Sequence, residues 1–388
     1  PWRRLSWLLA DQLRGYFLAR RHIDRWLRTA EAGLRAATEA ADPTGHAVML
    51  LSRGQAMWAL GRHARALDDF RAGEQLAHAC DWPPAVAYFW HNIGVIHLEQ
   101  GRFDEAEKAC REALRRCGER LELAPVKALA LNGLGSMYAD QGRLAEAAEC
   151  LGDAVRIHEA AGRVESVLST QGNLGIVLRQ LGQERAAEEH LLAALGGYRK
   201  RSNLHGELSS LDELGQLYAQ RGDAAKAVSA AQQGYDLAVI VRDQRAQVAL
   251  LCTLGEAHQI GGETAEALRC LNQTLDLAGK HGYPYFAARA HVGLAGVHLE
   301  TGAHELAREC ARQGRELAAA HDFRVVEASA LAALARCLAA TSTDGAPQAV
   351  AAAVAAYRAT GAEVLADRLS QEVGVGAPGV RAPTGTDG

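Results

Sequence analysis

Glycine recurs along this chain every 40 or 41 residues, and this spacing restricts the possible folds more than any other feature. The series is Gly61, Gly101, Gly142, Gly182, Gly222, Gly262 and Gly302. Seven residues before each stands Gly54, Gly94, Gly135, Gly175, Gly215, Gly255 or, as the exception, Ala295. Five residues after each stands Ala66, Ala106, Ala147, Ala187, Ala227, Ala267 or Ala307. Self-similarity at a fixed period of this size is the signature of a repeat architecture.

Each period predicts a pair of helices. Apolar residues recur at i, i+3, i+4 and i+7 in segments 128–141 and 169–181, which is the helical spacing. The glycine that ends such a segment suits a left-handed C-cap, and a second helix follows, as in 144–160 and 184–198. The small residue midway along the first helix and the alanine in the second let the two helices approach closely. Such a pair buries its apolar face only against neighbouring pairs.

The joints between the units carry proline and aspartate, which do not continue a helix. The prolines are Pro43, Pro83, Pro84, Pro125 and Pro284, and the aspartates are Asp42, Asp81, Asp243 and Asp322. Proline breaks a helix interior but is tolerated at its first turn. Aspartate side chains accept hydrogen bonds from backbone N–H groups at helix starts and in turns, so we expect these aspartates to serve as N-caps or turn residues.

Composition excludes several classes of protein. The formal net charge is −4 and 23% of the residues are charged, which argues against a chain that mainly coats nucleic acid. With 48% hydrophobic residues the chain is too apolar to be disordered throughout. Of the eight cysteines, Cys150, Cys270 and Cys310 share one repeat position, which predicts small core residues in a reducing cytoplasm.

No catalytic or metal-binding motif occurs in the sequence. It has no Gly-x-x-x-x-Gly-Lys-Ser/Thr loop, no Gly-x-Ser-x-Gly, no His-Glu-x-x-His and no Cys-x-x-Cys. His97, His258 and His298 recur at one repeat position, so we interpret them as packing residues rather than ligands. The prediction is a chain that is not an enzyme, with no metal site and no cofactor of its own.

The repeat frame resembles the tetratricopeptide repeat. The Gly–x6–Gly–x4–Ala frame carries it, with Trp90, Leu131 or Leu251 before the first glycine and Tyr138 or Tyr218 after it. The resemblance covers about residues 45–320 and implies an all-α solenoid of about nine helix–turn–helix repeats in a right-handed superhelix. The predicted parts are a degenerate N-terminal pair (1–44), seven repeats (45–322), a degenerate C-terminal repeat with a capping helix (323–373) and a disordered tail (374–388).

Binding is expected on the concave face, which the first helix of each pair lines in such solenoids. The candidate residues are Tyr88, His91, Asn92, Asn132, Asn173, Arg179, Asp212, Gln216 and Arg289. Amides at matching places on successive helices (Asn92, Asn132, Asn173) present donors and acceptors suited to an extended peptide backbone. The alternative is that these polar side chains only solvate an open groove. The cationic clamp that chaperone-binding members of the family use for a C-terminal carboxylate is absent.

The N-terminal stretch is basic and rich in tryptophan. Residues 1–28 hold seven arginines and two aspartates, a local net charge of +5, and all six tryptophans lie within residues 1–90. We expect an inter-domain docking end formed by Arg14, Arg21, Arg25 and Trp26, in preference to a DNA contact. The chain begins at Pro1 with no signal peptide, so we interpret it as a cytoplasmic fragment whose remaining part lies upstream.

A second resemblance concerns the same stretch. The run from Leu9 to Phe17, followed by Arg20-Arg21-His22 and Trp26-Leu27, resembles the C-terminal sensor of large actinobacterial regulators of antibiotic biosynthesis. In the large Streptomyces antibiotic regulatory proteins a DNA-binding region and a STAND (NB-ARC-like) ATPase precede such repeats. This resemblance implies an autoinhibitory sensor whose partners are its own upstream nucleotide-binding domain, with ATP and Mg²⁺ bound there, and an unknown effector. The alternative is a free-standing adaptor for extended peptides.

Overall fold

The computed structural model describes residues 2–20, 22–100, 102–118, 120–341 and 344–374, and these form helices with no strand among them. The predicted all-α class is confirmed, and so is the succession of helix pairs. The helices are α1 (Trp2–Arg20), α2 (Ile23–Glu39), α3 (Pro43–Ala59), α4 (His63–Ala79), α5 (Pro83–Glu99), α6 (Phe103–Cys117), α7 (Ala124–Asp140), α8 (Leu144–Ala160), α9 (Val164–Gln180), α10 (Glu184–Lys200), α11 (Leu204–Gln220), α12 (Ala224–Val241), α13 (Gln244–Ile260), α14 (Thr264–His281), α15 (Pro284–Glu300), α16 (His304–Ala320), α17 (Arg324–Ala340), α18 (Ala346–Ala359) and α19 (Glu363–Gly374).

The chain divides into two compact units. Unit 1 comprises Pro1–Met137 and Glu149–Val167, and unit 2 comprises Tyr138–Ala148 and Leu168–Gly388. Helices α1 to α6 therefore lie in unit 1 and helices α10 to α19 in unit 2. The boundaries 44/45, 322/323 and 373/374 expected from the sequence stay predictions, and residues 375–388 of the predicted tail lie outside the described residues.

The recurring glycines end the first helix of each pair in the predicted conformation. Their φ angles lie between +69° and +78° at Gly61, Gly142, Gly182, Gly222, Gly262 and Gly302, while Gly101 lies outside the described residues. This left-handed region carries a steric cost for a residue with a Cβ atom. Asp81 and Asp322 occupy the same region at other joints, with φ of +49° and +55°. They act there as turn residues.

The other two aspartates cap helices. Asp42 accepts a hydrogen bond from the Gly45 N–H (3.0 Å) at the start of α3, and Asp243 accepts one from the Ala246 N–H (3.0 Å) at the start of α13. Each therefore satisfies one of the free N–H groups of a helix N-terminus.

The glycines midway along the first helices allow close packing with the second helices. A Cβ at Gly175 would lie 2.7 Å from Leu191 Cγ, and one at Gly255 would lie 2.6 Å from Leu271 Cγ. Gly54 lies in the same way against the Phe70 ring. Close-packed interiors tolerate no such overlap, so a side chain at Gly54, Gly175 or Gly255 would force the facing residue or the helix to shift.

Candidate functional site

The last helices of unit 2 pack against joints that come much earlier in the chain. A Cβ at Gly142 would lie 3.0 Å from Thr360 Cγ2, just before α19 begins. A Cβ at Gly182 would lie 2.5 Å from Val364 Cβ, in the first turn of α19. The joint after α7 and the joint after α9 therefore both lie against the C-terminal end of unit 2.

Arginine side chains extend this contact. Arg368 of α19 donates to the Gln220 carbonyl oxygen (3.0 Å) and pairs with Glu184 (Nη2–Oε1 3.1 Å). Arg324 at the start of α17 donates to the Gln141 carbonyl oxygen (3.2 Å). Backbone carbonyls near helix C-termini have no partner within the helix and attract cations, so these arginines stabilise the contact.

These contacts between the C-terminal helices and the earlier joints leave a cavity of about 610 Å³ inside unit 2. It lies among α9, α11, α13, α15, α17, α18 and α19. We call it the inner cavity; its polar lining consists mainly of Arg179, Gln180, Gln216, Gln220, Glu256, Gln259, Tyr285, Arg289, Ser329, Arg336, Tyr357, Arg368 and Glu372. Its size lies in the range of small-molecule and peptide sites.

A hydrogen-bonded network centred on Asp212 lies along this lining. Asp212 Oδ1 accepts from Thr253 Oγ1 (2.6 Å), and Asp212 Oδ2 accepts from Gln216 Nε2 (3.1 Å). The oxygen of Gln216 accepts in turn from Arg179 Nη2 (3.0 Å). Burial raises the pKa of Asp212 to about 6, although the positive charge of Arg289 opposes the shift. The network therefore contains one carboxyl group that titrates near neutral pH.

Each arginine of the lining is paired with a carboxylate. Arg289 contacts Glu256 through Nη2 (2.7 Å) and Nε (3.2 Å), and Arg179 contacts Glu213 at 3.0 Å. The other two pairs are Arg336 with Glu372 (2.8 Å) and Arg368 with Glu184 (3.1 Å). Burial alone would lower the pKa of Arg289, but Glu256 and the neighbouring acidic groups raise it well above its usual value. The inner cavity thus presents donors and acceptors side by side, with nearly balanced charge.

The rest of the lining is apolar and built from small residues. Gly293, Gly296 and Ala333 belong to this part of the lining, together with Val292 and Leu299. Tyr285 lies at the start of α15 and makes edge contacts with Phe286 (5.5 Å between ring centroids) and Phe323 (5.3 Å). Burial raises the pKa of the Tyr285 hydroxyl, which therefore stays protonated and able to donate.

Comparison with known proteins identifies the family. Tetratricopeptide repeat models match residues 85–160, 166–239 and 252–319, together more than half of the chain. The chain is a tetratricopeptide repeat protein. Members of this family are protein-interaction modules. A search of curated protein sequences finds no match.

Solved structures with the same repeat fold resemble the chain over most of its length. A Rap protein complexed with competence and sporulation factor superposes with a TM-score of 0.64 at 12% identity, covering 97% of this chain and 99% of that one. Aspartyl phosphate phosphatase F from Bacillus subtilis gives 0.58 at 13% identity, covering 74% and 75%. A STAND protein with a tetratricopeptide repeat sensor from Pyrococcus horikoshii gives 0.57 at 15% identity, covering 95% of this chain and 55% of that one. At these identities the likeness concerns the fold alone.

Four of the predicted binding residues of this tetratricopeptide repeat protein meet in the Asp212 network. They are Arg179, Asp212, Gln216 and Arg289, which come from α9, α11 and α15. Thr253 joins them, because its Oγ1 donates to Asp212 and lies 3.3 Å from Arg289 Nη2. Asn173 also lies in unit 2, half-buried on α9.

The remaining predicted binding residues lie in unit 1. Asn92 donates to the Tyr88 carbonyl oxygen of its own helix (2.7 Å) and accepts from Gln55 of α3 (3.2 Å). Burial lowers the pKa of His91 to about 4, so its ring is neutral at physiological pH. Asn132 is half-buried on α7. The proposed use of Asn92, Asn132 and Asn173 as one ladder stays a prediction, because Asn173 belongs to the other unit.

The predicted docking end needs one correction. Trp26 is not a surface residue: it is 1% exposed, and its Nε1 donates to Ser52 Oγ at 2.9 Å. The indole ring packs in the core of unit 1 with Phe17, Ala30 and Ala56, because the pairs α1–α2 and α3–α4 stack there. Arg25 is exposed, and Arg14 is half-buried beside Asp11 (3.3 Å). Arg21 lies outside the described residues.

Sequence reasoning missed the contributions of the C-terminal helices and of Tyr285. Arg336, Arg368 and Glu372 belong to α17 and α19, which the repeat frame treats as a cap rather than as part of a site. Nothing in the local pattern signals their approach to residues 184 and 220. Tyr285 had a usable signal: it stands four residues before Arg289 and therefore lies on the same face of α15.

The described residues contain no group of three or more His, Cys, Asp or Glu side chains that could hold a metal ion. No helix within those ranges is long and apolar enough to cross a membrane. His97 is buried, and His258 contacts Glu263 through Nδ1 at 2.6 Å.

Proposed function

We propose that the chain is the effector-sensing part of a signalling protein, and that the effector binds in the inner cavity of unit 2. The observation that carries this proposal is the combination of a cavity of about 610 Å³ with a lining of paired charges and amides. Solenoids generally bind along a long, extended surface, whereas a cavity of this size suits a short ligand.

The lining favours a ligand that is rich in amides and close to neutral. Arg179, Arg289, Arg336 and Arg368 all have carboxylate partners already, so a strongly anionic ligand would have to displace a glutamate. A short peptide backbone matches amide groups such as those of Gln220 and Gln259, and its apolar side chains match the apolar lining around Gly296. A small molecule with several amide groups fits the same description.

Binding in this cavity would be coupled to the position of α19. Leu365, Arg368 and Glu372 of that helix belong to the lining, so a ligand that contacts them binds the closed arrangement better than one in which α19 has moved away. A ligand shifts a conformational equilibrium only by its differential affinity for the two states. Ligand binding would therefore stabilise the docked position of α19. This change in α19 is the one by which the rest of the molecule would respond to the ligand.

We propose that this chain controls the activity of an ATP-dependent transcriptional regulator of secondary metabolism, of which it is a part. In this arrangement the chain is the C-terminal autoinhibitory sensor, and its basic end, including Arg14 and Arg25, docks on an upstream nucleotide-binding domain that holds ATP and Mg²⁺. The sequence resemblance to large actinobacterial regulators supports this proposal, and so does the fold similarity to a STAND protein with a repeat sensor. We assign no catalytic role to this chain.

Ligand capture tests the cavity assignment. The chain is expressed in its native host, purified without denaturation and analysed by native mass spectrometry for bound small molecules and peptides. Ile260 lies on the lining, and we expect Ile260→Trp to remove the bound species by narrowing the cavity. Ile240→Trp is the matched control, because Ile240 is exposed on α12 outside the lining. Equal retention by both variants would contradict the cavity assignment.

A separate experiment tests the proposed output. Sequencing the coding DNA upstream of the codon for Pro1 should reveal, in frame, a phosphate-binding loop preceded by a DNA-binding region. A start codon within a few residues would overturn the regulator and support the second candidate, a free-standing adaptor. That candidate rests on the half-buried amides of Asn92 and Asn132 in unit 1, and we would then test peptide binding by that unit.

A further inference from the structure

A second cavity lies in unit 1, where helices α4, α5 and α6 meet. Its volume is about 370 Å³, within the range of sites for small molecules. We call it the α5 cavity; its lining includes Arg71, Glu74, Trp90, Ile93, His97, Glu105 and Lys108. All three helices belong to unit 1, so the α5 cavity shares no element with the inner cavity of unit 2.

The repeat itself provides a filled counterpart of this cavity. Helices α10, α11 and α12 occupy the same repeat positions as α4, α5 and α6, 121 residues later in the chain. The hydroxyl of Tyr218 on α11 donates there to Glu188 Oε1 of α10 (3.0 Å), and the Lys226 ammonium of α12 lies over the Tyr218 ring, 5.4 Å from its centroid. Arg221 also pairs with Glu188. These four side chains bridge the gap between the second helices α10 and α12.

The corresponding residues around the α5 cavity cannot form this bridge. The counterparts of Tyr218, Glu188, Arg221 and Lys226 are, in that order, His97, Leu67, Gln100 and Glu105. An imidazole ring is shorter than a phenol, Leu67 has no acceptor, and Glu105 carries the opposite charge to its lysine counterpart. The gap between α4 and α6 therefore stays unbridged, and the α5 cavity occupies it.

Two ring nitrogens of residues that line this cavity have no hydrogen-bond partner among the described residues. They are Nε1 of Trp90 and Nδ1 of His97, which lie seven residues apart and therefore on the same side of α5. His97 is only 6% exposed, and burial lowers its pKa, so the ring is neutral at physiological pH. The indole N–H can only donate, and a buried donor without an acceptor destabilises the structure. A ligand with an acceptor group would remove this cost.

Four charged side chains of the lining have no ion-pair partner within the part of the chain that the structure describes. Arg71 and Glu74 stand three residues apart on α4, and Glu105 and Lys108 stand three residues apart on α6. Oppositely charged residues at this spacing form ion pairs elsewhere in the chain, for example on α14 at 2.8 Å. The α5 cavity is thus lined by two cations and two carboxylates that are all available to a ligand.

We propose that the α5 cavity binds a small zwitterion with an apolar side chain, which is the chemistry of a free α-amino acid. The two ring nitrogens donate to its carboxylate, which the two cations of the lining neutralise. The two glutamates accept from its ammonium group, and its apolar side chain packs on Ile93 and the Trp90 ring. A simple anion would meet the two unpaired carboxylates, and a simple cation would meet the two unpaired cations. Only a ligand that carries both charges finds a partner for each.

Calorimetric titration of the full 388-residue chain with each of the twenty proteinogenic amino acids tests the ligand class. At least one apolar amino acid should bind with a dissociation constant below about 1 mM. The N-acetyl derivative and the carboxamide of that amino acid each lack one charge, so each should bind at least about 10-fold more weakly. A chain that binds none of the twenty overturns the proposal, and so does a derivative that binds as tightly as its parent.

Variants of the chain test the place of binding. Leu67→Glu combined with His97→Tyr copies the Tyr218–Glu188 bond into the α5 cavity and should lower the affinity at least about 10-fold by filling it. Lys108→Ala should also lower the affinity, because it removes one cation of the lining. Arg35→Ala is the matched control and should leave binding unchanged, since Arg35 is an exposed cation on α2 outside the lining.

Binding that Lys108→Ala or the double variant leaves unchanged overturns the proposal. Loss of amino-acid binding in Ile260→Trp would place the ligand in the inner cavity instead, with the same consequence for the α5 cavity.

Discussion

Gly182 offers the most direct test of the closure of unit 2. Its φ of +77° imposes a cost on any residue with a Cβ, and the same holds for Gly222, whose φ is +78°. The two sites differ in their surroundings. A Cβ at position 222 meets nothing within 4 Å, whereas one at position 182 would lie 2.5 Å from Val364 Cβ and 2.8 Å from its Cγ1. Replacing each glycine by alanine therefore separates backbone strain from the contact with α19.

The expected free energies of unfolding follow from these two costs. Gly222→Ala should destabilise the chain by about 1–2 kcal/mol, the cost of the left-handed conformation for an L-residue. Gly182→Ala should cost the same amount and about 1–3 kcal/mol more for the overlap with Val364. Because Val364 lies in the first turn of α19, moving that helix away relieves the overlap. Local undocking of α19 is then the response to Gly182→Ala that costs the least free energy.

Hydrogen exchange measured by mass spectrometry reads this response directly, and chemical denaturation followed by circular dichroism gives the global effect. Repeat proteins do not always unfold in two states, so the local measurement is the decisive one. Amides in 363–374 should exchange faster in Gly182→Ala than in Gly222→Ala. Adding Val364→Gly should reduce the difference between the two alanine variants. Equal exchange and equal destabilisation at both sites would refute the contact between the joint after α9 and α19.

Three further predictions concern buried polar groups. The folded-state pKa of Asp212, about 6, lies above its usual 3.8. The stability that Asp212 contributes is therefore present below about pH 4 and is lost as the pH rises through 6, by up to about 3 kcal/mol. Asp212→Asn should remove this pH dependence from the free energy of unfolding measured by denaturation at a series of pH values. The pKa of His91, lowered to about 4, acts in the opposite direction: stability falls as the pH drops from 6.5 to 4, and His91→Gln should remove that fall. Trp26→Phe leaves the fully buried Ser52 without its donor and should cost about 1–3 kcal/mol in urea unfolding, whereas Trp2→Phe, at an 80% exposed position, should change stability by less than about 0.5 kcal/mol. A smaller loss for Trp26→Phe than for Trp2→Phe would contradict the assigned burial of the two rings.

The repeating unit could be predicted from the sequence because it depends on interactions over a few residues. The left-handed C-cap at Gly222, the N-caps at Asp42 and Asp243, and the close approach at Gly255 all arise within one helix pair. Glycine, proline and aspartate have strong local preferences there, so their spacing determines where each helix begins and ends.

Part of the candidate site could also be predicted, since equivalent repeat positions lie on the same side of successive helices. This reasoning found Arg179, Asp212, Gln216 and Arg289. It did not show that Arg179 bonds to Gln216, that Gln216 bonds to Asp212, or that burial raises the pKa of Asp212 to about 6. Those features depend on side-chain distances between helices, which a one-dimensional pattern does not contain.

The sequence by itself determined the helix pairs, their caps and the positions where two helices touch. Only the tertiary structure decided that Arg368 bonds to Gln220 and Glu184, which lie 148 and 184 positions earlier in the sequence. It also decided that α19 contributes to the lining of the inner cavity, and that Trp26 lies in the core instead of on the surface. The physical reason is that a small rotation between neighbouring pairs accumulates along the stack. Contacts between distant repeats depend on the total rotation over all the helix pairs between them. Each repeat motif in the sequence reflects only the interactions within its own helix pair.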